Sequence, residues 1–244
     1  MSPADRTIEV RALTKTFGLN PVLRGLDFDV PRGQFLTLLG PNGSGKTTLL
    51  RILGALARPT SGTVRIGGWE LPGEAEFVRA QLGVVSHLPL LYDTLTAEEN
   101  LLFFARMYNL PHETRRDRVD AVLRRVGLVR RARDVVATYS RGMQQRLAIA
   151  RAILHDPAVL LLDEPYTGLD QDAAALLDEL LREVAIGGRT VIMTTHDLRR
   201  GHALADRIAI LSRGKIAFDA LCREVDPDAL PALYADTTGA ATTR

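Results

Sequence analysis

The stretch Gly40-Pro41-Asn42-Gly43-Ser44-Gly45-Lys46-Thr47 lies between an apolar run, residues 35–39, and a segment over residues 47–56 that reads as a helix. It fits G-x-x-x-x-G-K-[ST] without a gap. In that setting each residue type has a physical use. The glycines let backbone amides turn inward around a polyphosphate, and the helix start adds partial positive charge. Lys46 offers a cation to the outer phosphates, and the hydroxyl of Thr47 reaches Mg²⁺. A chance glycine-rich turn would not carry a buried strand on one side and a helix on the other.

Working outward, the run Val159-Leu160-Leu161-Leu162 ends in Asp163-Glu164. Ligands bind at the ends of strands in open parallel sheets. Asp163 is placed to hold the Mg²⁺ shell, and Glu164 to orient and deprotonate a water against a γ-phosphate. Without the phosphate loop, two acids after a buried strand would read as a helix cap. Together the motifs predict a Mg²⁺-dependent nucleotide hydrolase. They do not choose among GTPases, kinases, helicases and transport ATPases.

The remaining pattern predicts a fold class. Residues 7–13, 22–30 and 63–66 read as strands; in the second, Leu26, Phe28 and Val30 alternate with Asp27 and Asp29. Residues 97–108, 115–126 and 141–154 carry apolar positions at helical spacing, and strands return at 159–162, 190–194 and 208–211 with helices at 173–184 and 198–204 between them. Strand–helix alternation at both ends implies an α/β fold, a parallel sheet wrapped by helices, with the middle block inserted. After Pro227 the chain turns small and polar and is expected to be weakly ordered at its end.

Composition narrows the class. Nearly half of the 244 residues are apolar, enough for a sizeable core. A net charge of +2 argues against a dedicated nucleic-acid binder. Of 31 basic residues only Lys15, Lys46 and Lys215 are lysines. Cys222 is the lone cysteine, so no internal disulfide forms, which fits a reducing compartment. No run of about 18 apolar residues is present, and the start lacks a secretory apolar stretch. A cytoplasmic chain is expected, with any membrane role exercised through a partner or a surface contact. The arginines at 115, 116, 118, 124, 125, 130, 131 and 133, interrupted by Asp117, Asp120 and Asp134, read as a solvated helix face or as a contact for anionic headgroups.

Tyr139-Ser140-Arg141-Gly142-Met143-Gln144-Gln145-Arg146 opens the helix before the acidic strand. Ser140 is a good N-cap, and the helix dipole favours an anion there. About a hundred residues separate it from the phosphate loop, so one chain is not expected to bring it to its own nucleotide.

With these motifs in order, the chain resembles the ATP-binding-cassette (ABC) ATPases from about Ile8 to Phe218. Gly40–Thr48 stands as Walker A and Val159–Glu164 as Walker B. Tyr139–Gln144 stands at the signature, usually LSGGQ, from which it departs at Tyr139, Arg141 and Met143. Thr167-Gly168-Leu169-Asp170 matches the D-loop, and Thr195-His196-Asp197 the switch histidine. The resemblance implies a P-loop NTPase (RecA-like) core over residues 1–86 and 157–225. It also implies a β-rich N-terminal subdomain, an inserted helical signature subdomain over 87–156, and a tail over 226–244. ATP and Mg²⁺ are the implied cofactors. Phe17 is placed against adenine with Val22 nearby, and Lys46, Glu164 and His196 are implied in hydrolysis. Ser140, Arg141, Gly142, Met143 and Gln144 are implied to act on the ATP of a partner chain in a head-to-tail dimer, expected to be a homodimer, and Asp170 is implied as the D-loop aspartate.

A single cassette without a coiled-coil insertion favours a transport motor, bound to integral-membrane permease subunits on the inner face of the membrane, over a soluble repair or translation machine or a small-molecule kinase. The stretches LYDTLTAEENLLFFARMY, YSRGMQQRLAIARAILHDP and LLLDEPYTGLD look most like the haem exporter ATPase of bacterial cytochrome c biogenesis. ABC-2 type drug or polysaccharide exporters share part of this pattern. Finally, His87 falls where most of the family carries a glutamine that reaches Mg²⁺. It is read as a replacement metal-shell ligand, a hinge residue bonded to a backbone carbonyl, or an exposed loop residue.

Overall fold

The computed structural model describes residues 6–86 and 88–239. β1 (Arg6–Phe17) and β2 (Asn20–Pro31) form an antiparallel hairpin, followed by β3 (Phe35–Leu39), the phosphate loop and α1 (Lys46–Leu53). β4 (Ser61–Ile66) and β5 (Trp69–Leu71) join the hairpin in a four-stranded antiparallel sheet of order β2-β1-β4-β5. Leu26, Phe28 and Val30 of β2 are buried, as their alternation predicts, because one face of this sheet packs on the core.

After α2 (Ala75–Ala80) and β6 (Leu82–Val85) come the inserted helices α3 (Ala97–Met107), α4 (His112–Arg125) and α5 (Arg141–Ile153). The chain then alternates through β7 (Val159–Asp163), α6 (Gln171–Ile186), β8 (Thr190–Thr194), α7 (Leu198–Leu204) and β9 (Arg207–Ser212), and ends with β10 (Lys215–Leu221) and α8 (Leu230–Thr238). The second sheet has the order β10-β9-β3-β8-β7-β6, with β9 to β6 all parallel and β10 antiparallel at the edge. Every residue of β3, β7 and β8 is buried, as befits parallel strands covered on both faces. The ends of β3, β7 and β8 therefore place the phosphate loop, Asp163-Glu164 and His196 along one edge.

The inserted block is tied down by polar groups. Thr96 and Glu99 form a capping box at the start of α3. The buried side chain of Asn100 accepts from Tyr92 N (2.8 Å) and donates to Tyr92 O (2.9 Å) and Thr96 O (3.0 Å), closing the preceding loop. Arg151 of α5 is buried; it donates to Val84 O at the end of β6 (2.8 Å) and to Leu90 O (3.2 Å), and its guanidinium lies over the Phe104 ring. α5 comes this close to β6 because residue 83 is glycine: a Cβ there would be driven into the Ala152 carbonyl and the Leu160 side chain.

Two departures from the sequence reading stand out. β5, α2 and β10 are short or edge elements with little periodicity. Within the segment read as a polar tail, residues 230–238 form α8, and Leu230 is fully buried against Leu39, Ile208 and Ile210. Residues 240–244, the end of that tail, lie outside the described residues, as does His87.

Candidate active site

Gly40 sits at φ 153°, and a Cβ there would run into the Leu211 carbonyl oxygen, so the loop can leave β3 only through glycine. Gly45 is the N-cap of α1; it supplies no side-chain cap, and the first turn carries no acid. The amides of that turn are thus left for an anion. Lys46 is buried, and its Nζ donates to Gly40 O (2.7 Å) and Pro41 O (3.2 Å), so the ammonium is folded back into its own loop. Burial pushes its pKa down, while the carboxylates of Glu164 and Asp163 oppose the shift. Ser44 Oγ is buried with no hydrogen-bond partner. An orphaned hydroxyl beside a free helix start and a buried cation fits a polyphosphate.

β7 delivers the acids. Asp163 is buried, and its Oδ1 accepts from Thr194 Oγ1 (2.8 Å); the same hydroxyl accepts from Glu164 N (3.0 Å). Thr194 thereby fixes both acids, a role sequence reasoning missed because nothing marks it among the residues of β8. Glu164 adopts φ +51°, left-handed and costly for a side chain other than glycine. That turn carries its carboxylate to His196, whose Nε2 lies 3.0 Å from Glu164 Oε1. The approach is close but lacks hydrogen-bond alignment, so this buried oxygen keeps its accepting capacity. Burial pushes the Glu164 pKa up; His196 and Lys46 pull it back, and Asp163 adds to the rise.

These groups meet on a cleft of about 450 Å³, lined by Asn20, Val22, Asn42, Gly43, Gly45, Lys46, Thr47, Thr48, Glu164 and His196. Gly40, Pro41 and Ser44 build the loop behind it. Phe17 does not line the cleft. Its ring is exposed beneath the Lys15 ammonium, 4.8 Å from the centroid, while its backbone pairs with the lining residue Asn20. For a divalent cation, the donors to hand are the Thr47 hydroxyl and the Asp163 carboxylate. Both are hard oxygen ligands, the set that suits Mg²⁺ completed by phosphates. No cluster of three or more His, Cys, Asp or Glu able to cage a metal occurs among the described residues.

The signature segment divides between two other cavities. Arg141 and Gln144 face a space of about 360 Å³ shared with Thr47, Asp163, Glu164 and Thr167 of the same chain. A Cβ on Gly168 would stand 3.4 Å from an Arg141 guanidinium nitrogen. Ser140, Gly142 and Met143 instead open with Asp170 onto a separate space of about 250 Å³. Ser140 caps α5 by accepting from Met143 N (3.3 Å), and Asp170 caps α6 by accepting from Ala173 N (2.8 Å). Tyr139 is buried and donates to Arg131 O (2.6 Å). It belongs to the helical core, which accounts for an apolar body at that position.

Tyr234 of α8 was also missed. It packs with Leu198 and Leu233 around the cluster of Leu39, Ile208 and Ile210. Burial raises its pKa and the Glu164 carboxylate adds to the rise, so α8 reaches the electrostatic neighbourhood of the hydrolytic acid.

Comparison with known proteins agrees with this geometry. The ABC transporter family model matches residues 23–167. Nod factor export ATP-binding protein I of Ralstonia nicotianae is 40% identical over 208 residues, covering 85% of this chain and 65% of that protein. Linearmycin resistance ATP-binding protein LnrL of Bacillus subtilis is 35% identical (86% and 67% covered), and daunorubicin resistance ATP-binding protein DrrA3 of Streptomyces coeruleorubidus 38% identical (91% and 70% covered). The chain thus spans about two thirds of the length of these relatives. Among solved structures, a dimeric ATP-binding cassette in a post-hydrolysis state with ADP and Pi superposes with a TM-score of 0.81 at 30% identity, covering 88% of this chain and 99% of that one. The ATP-binding subunit of an ABC transporter superposes with a TM-score of 0.85 at 30% identity, covering 94% and 99%. The chain belongs to the ABC transporter family.

Proposed function

We propose that the chain is the ATP-hydrolysing motor of an exporter whose translocation pathway is formed by separate membrane subunits. The observation that carries this reading is the convergence of Lys46, Glu164 and His196 with the phosphate loop on one cleft. Lys46 leaves its carbonyl partners in the loop and turns to the outer phosphates. Thr47 and Asp163 are the residues that would hold Mg²⁺, which when bound neutralises charge building on the phosphates. Glu164, with its pKa raised and one oxygen free of hydrogen bonds, orients a water and takes up its proton. His196, half exposed beside it, steadies that carboxylate and contacts the terminal phosphate.

Ser140, Gly142 and Met143 line a space with Asp170 to which the chain's own phosphate loop contributes no residue. This supports a second copy bringing them to the nucleotide in a head-to-tail dimer. No helix among the described residues is long and apolar enough to cross a membrane. Leu88, Leu90 and Tyr92, exposed on the loop between β6 and α3, offer an apolar surface to a membrane partner.

For cargo, the relatives named for Nod factor export and for linearmycin and daunorubicin resistance support export of an amphiphilic product or drug. The haem-export expectation gains no support from them. The deciding experiment is affinity capture of the membrane subunit from the native host, followed by reconstituted ATP hydrolysis with candidate cargoes. Stimulation by amphiphilic drugs is expected. Stimulation by haem alone, with a cytochrome-maturation partner captured, would restore the haem reading.

A further inference from the structure

The structure sorts the arginines of the inserted block into two groups. Arg118 donates to Leu154 O (2.7 Å) and Ile153 O (2.8 Å), closing the end of α5. Arg125 pairs with Glu183, and Arg131 with Asp134. Three others gather at one place. Arg106 near the end of α3, and Arg115 and Arg116 in the first turns of α4, line a single cavity of about 460 Å³ with Leu102, His112 and Glu113. It is as large as the nucleotide-side cleft. Among the described residues, no carboxylate lies within 4.0 Å of these three guanidiniums. Arg115 is held in place by donating to Leu110 O (2.7 Å), yet its Nε is buried with no acceptor. Among the described residues, the guanidiniums of Arg106 and Arg116 have no hydrogen-bond partner in the protein.

Three guanidinium forks and an imidazole against the one carboxylate of Glu113 leave the cavity with an excess of donors and of positive charge. Guanidinium forks pair bidentately with carboxylate and phosphate alike, and a phosphate group offers more oxygens than a carboxylate to three forks around one cavity. Met107, the last residue of α3, is 63% exposed, so an apolar side chain stands at the surface at the end of the helix that carries Arg106.

We infer that the cavity between the end of α3 and the start of α4 is a binding site for a phosphate-bearing anion, presented by a phospholipid headgroup or free in solution. The lipid source suits a chain working against a membrane, with Met107 meeting the acyl boundary. The site is separate from the nucleotide cleft, so its failure leaves the hydrolysis reading untouched.

The test compares the full chain with R106Q/R116Q and with a control pair, R124Q/R130Q, which removes two exposed arginines that lie in the same block outside the cavity. One arm measures co-flotation with pure phosphatidylcholine vesicles and with the same vesicles doped with phosphatidylglycerol, at low salt. The other measures inorganic pyrophosphate binding by calorimetry, where the shared phosphate loop contributes equally to all three proteins. Basal ATP hydrolysis is expected to be unchanged throughout. If the lipid is the ligand, R106Q/R116Q loses binding to the acidic vesicles roughly twenty-five-fold, about fivefold for each cation removed, and the control pair loses much less. If soluble phosphate is the ligand, the difference appears in the pyrophosphate arm alone. Equal behaviour of the two pairs in both arms means diffuse charge only and overturns the site.

Discussion

Glu164 meets His196 across 3.0 Å only because its backbone takes a left-handed φ of +51°, a conformation that the chain tolerates at the end of β7 for the sake of where it points the carboxylate. The site therefore combines a strained residue with a buried acid, and both features bear on stability as well as chemistry.

Glu164→Gly should relieve the backbone strain, worth about 1 kcal/mol, and should melt higher than wild type. Glu164→Gln keeps the strain and removes only the ionisation. Hydrolysis should fall by about 10²–10⁴-fold in both. The order of melting temperatures, Gly above Gln, checks the strain argument.

The raised pKa of Glu164 has its own pH signature. The folded state holds this proton more tightly than the unfolded chain does. The associated stability is present below the ordinary value of 4.5 and is lost as pH climbs from there through the raised value. Glu164→Gln should therefore lose less stability than wild type over that climb. Parallel melting curves for the two proteins across this range would contradict the assignment of burial as the cause.

Arg151 holds Val84 O and Leu90 O from α5. Arg151→Met removes the donor from the partly buried Val84 and Leu90 carbonyls and should cost about 1–3 kcal/mol. Hydrogen exchange should accelerate in the loop after β6 ahead of the rest of the sheet. Arg151→Lys retains a charge but not the fork, and should recover only part of the loss.

Ser140→Arg removes the N-cap of α5, a loss of about 1 kcal/mol, and leaves the chain folded. If the signature acts on a partner's nucleotide, this variant should bind ATP as a monomer and lose cooperative hydrolysis, read by gel filtration with ATP and by turnover against protein concentration. Normal turnover would mean that the signature helix does not complete the site.

Leu230→Ala should destabilise the protein by about 2–4 kcal/mol in chemical denaturation, since Leu230, the first residue of α8, is fully buried. A negligible change would mean that α8 is dispensable to the core.

What the sequence made legible was local. β3 and the phosphate loop are contiguous, and their order of residue types is dictated by burial followed by anion chemistry. The helices of the inserted block announce themselves by apolar spacing. Contacts between distant residues were not legible: Thr194 bridging Asp163 and Glu164, Arg151 reaching Leu90, and the placement of Phe17 outside the cleft. α8 is a different case. Leu230, Leu233 and Tyr234 have the spacing of one helical face, but the small polar residues around them masked it. His196 was found through its position after β8, whereas the left-handed turn that brings Glu164 to it carries no sequence mark.

The scarcity of lysine gives the nucleotide cleft a chemical address. Of the three lysines in the chain, Lys46 is inside the phosphate loop, Lys15 lies over the Phe17 ring outside the cleft, and Lys215 is exposed on β10. Burial pushes the Lys46 pKa down, and its ammonium is held against the loop carbonyls of Gly40 and Pro41. An acyl-phosphate analogue of ATP should thus acylate one principal position, and competition by unlabelled nucleotide at that position would report site occupancy directly in crude extracts, with an almost silent background from the rest of the chain.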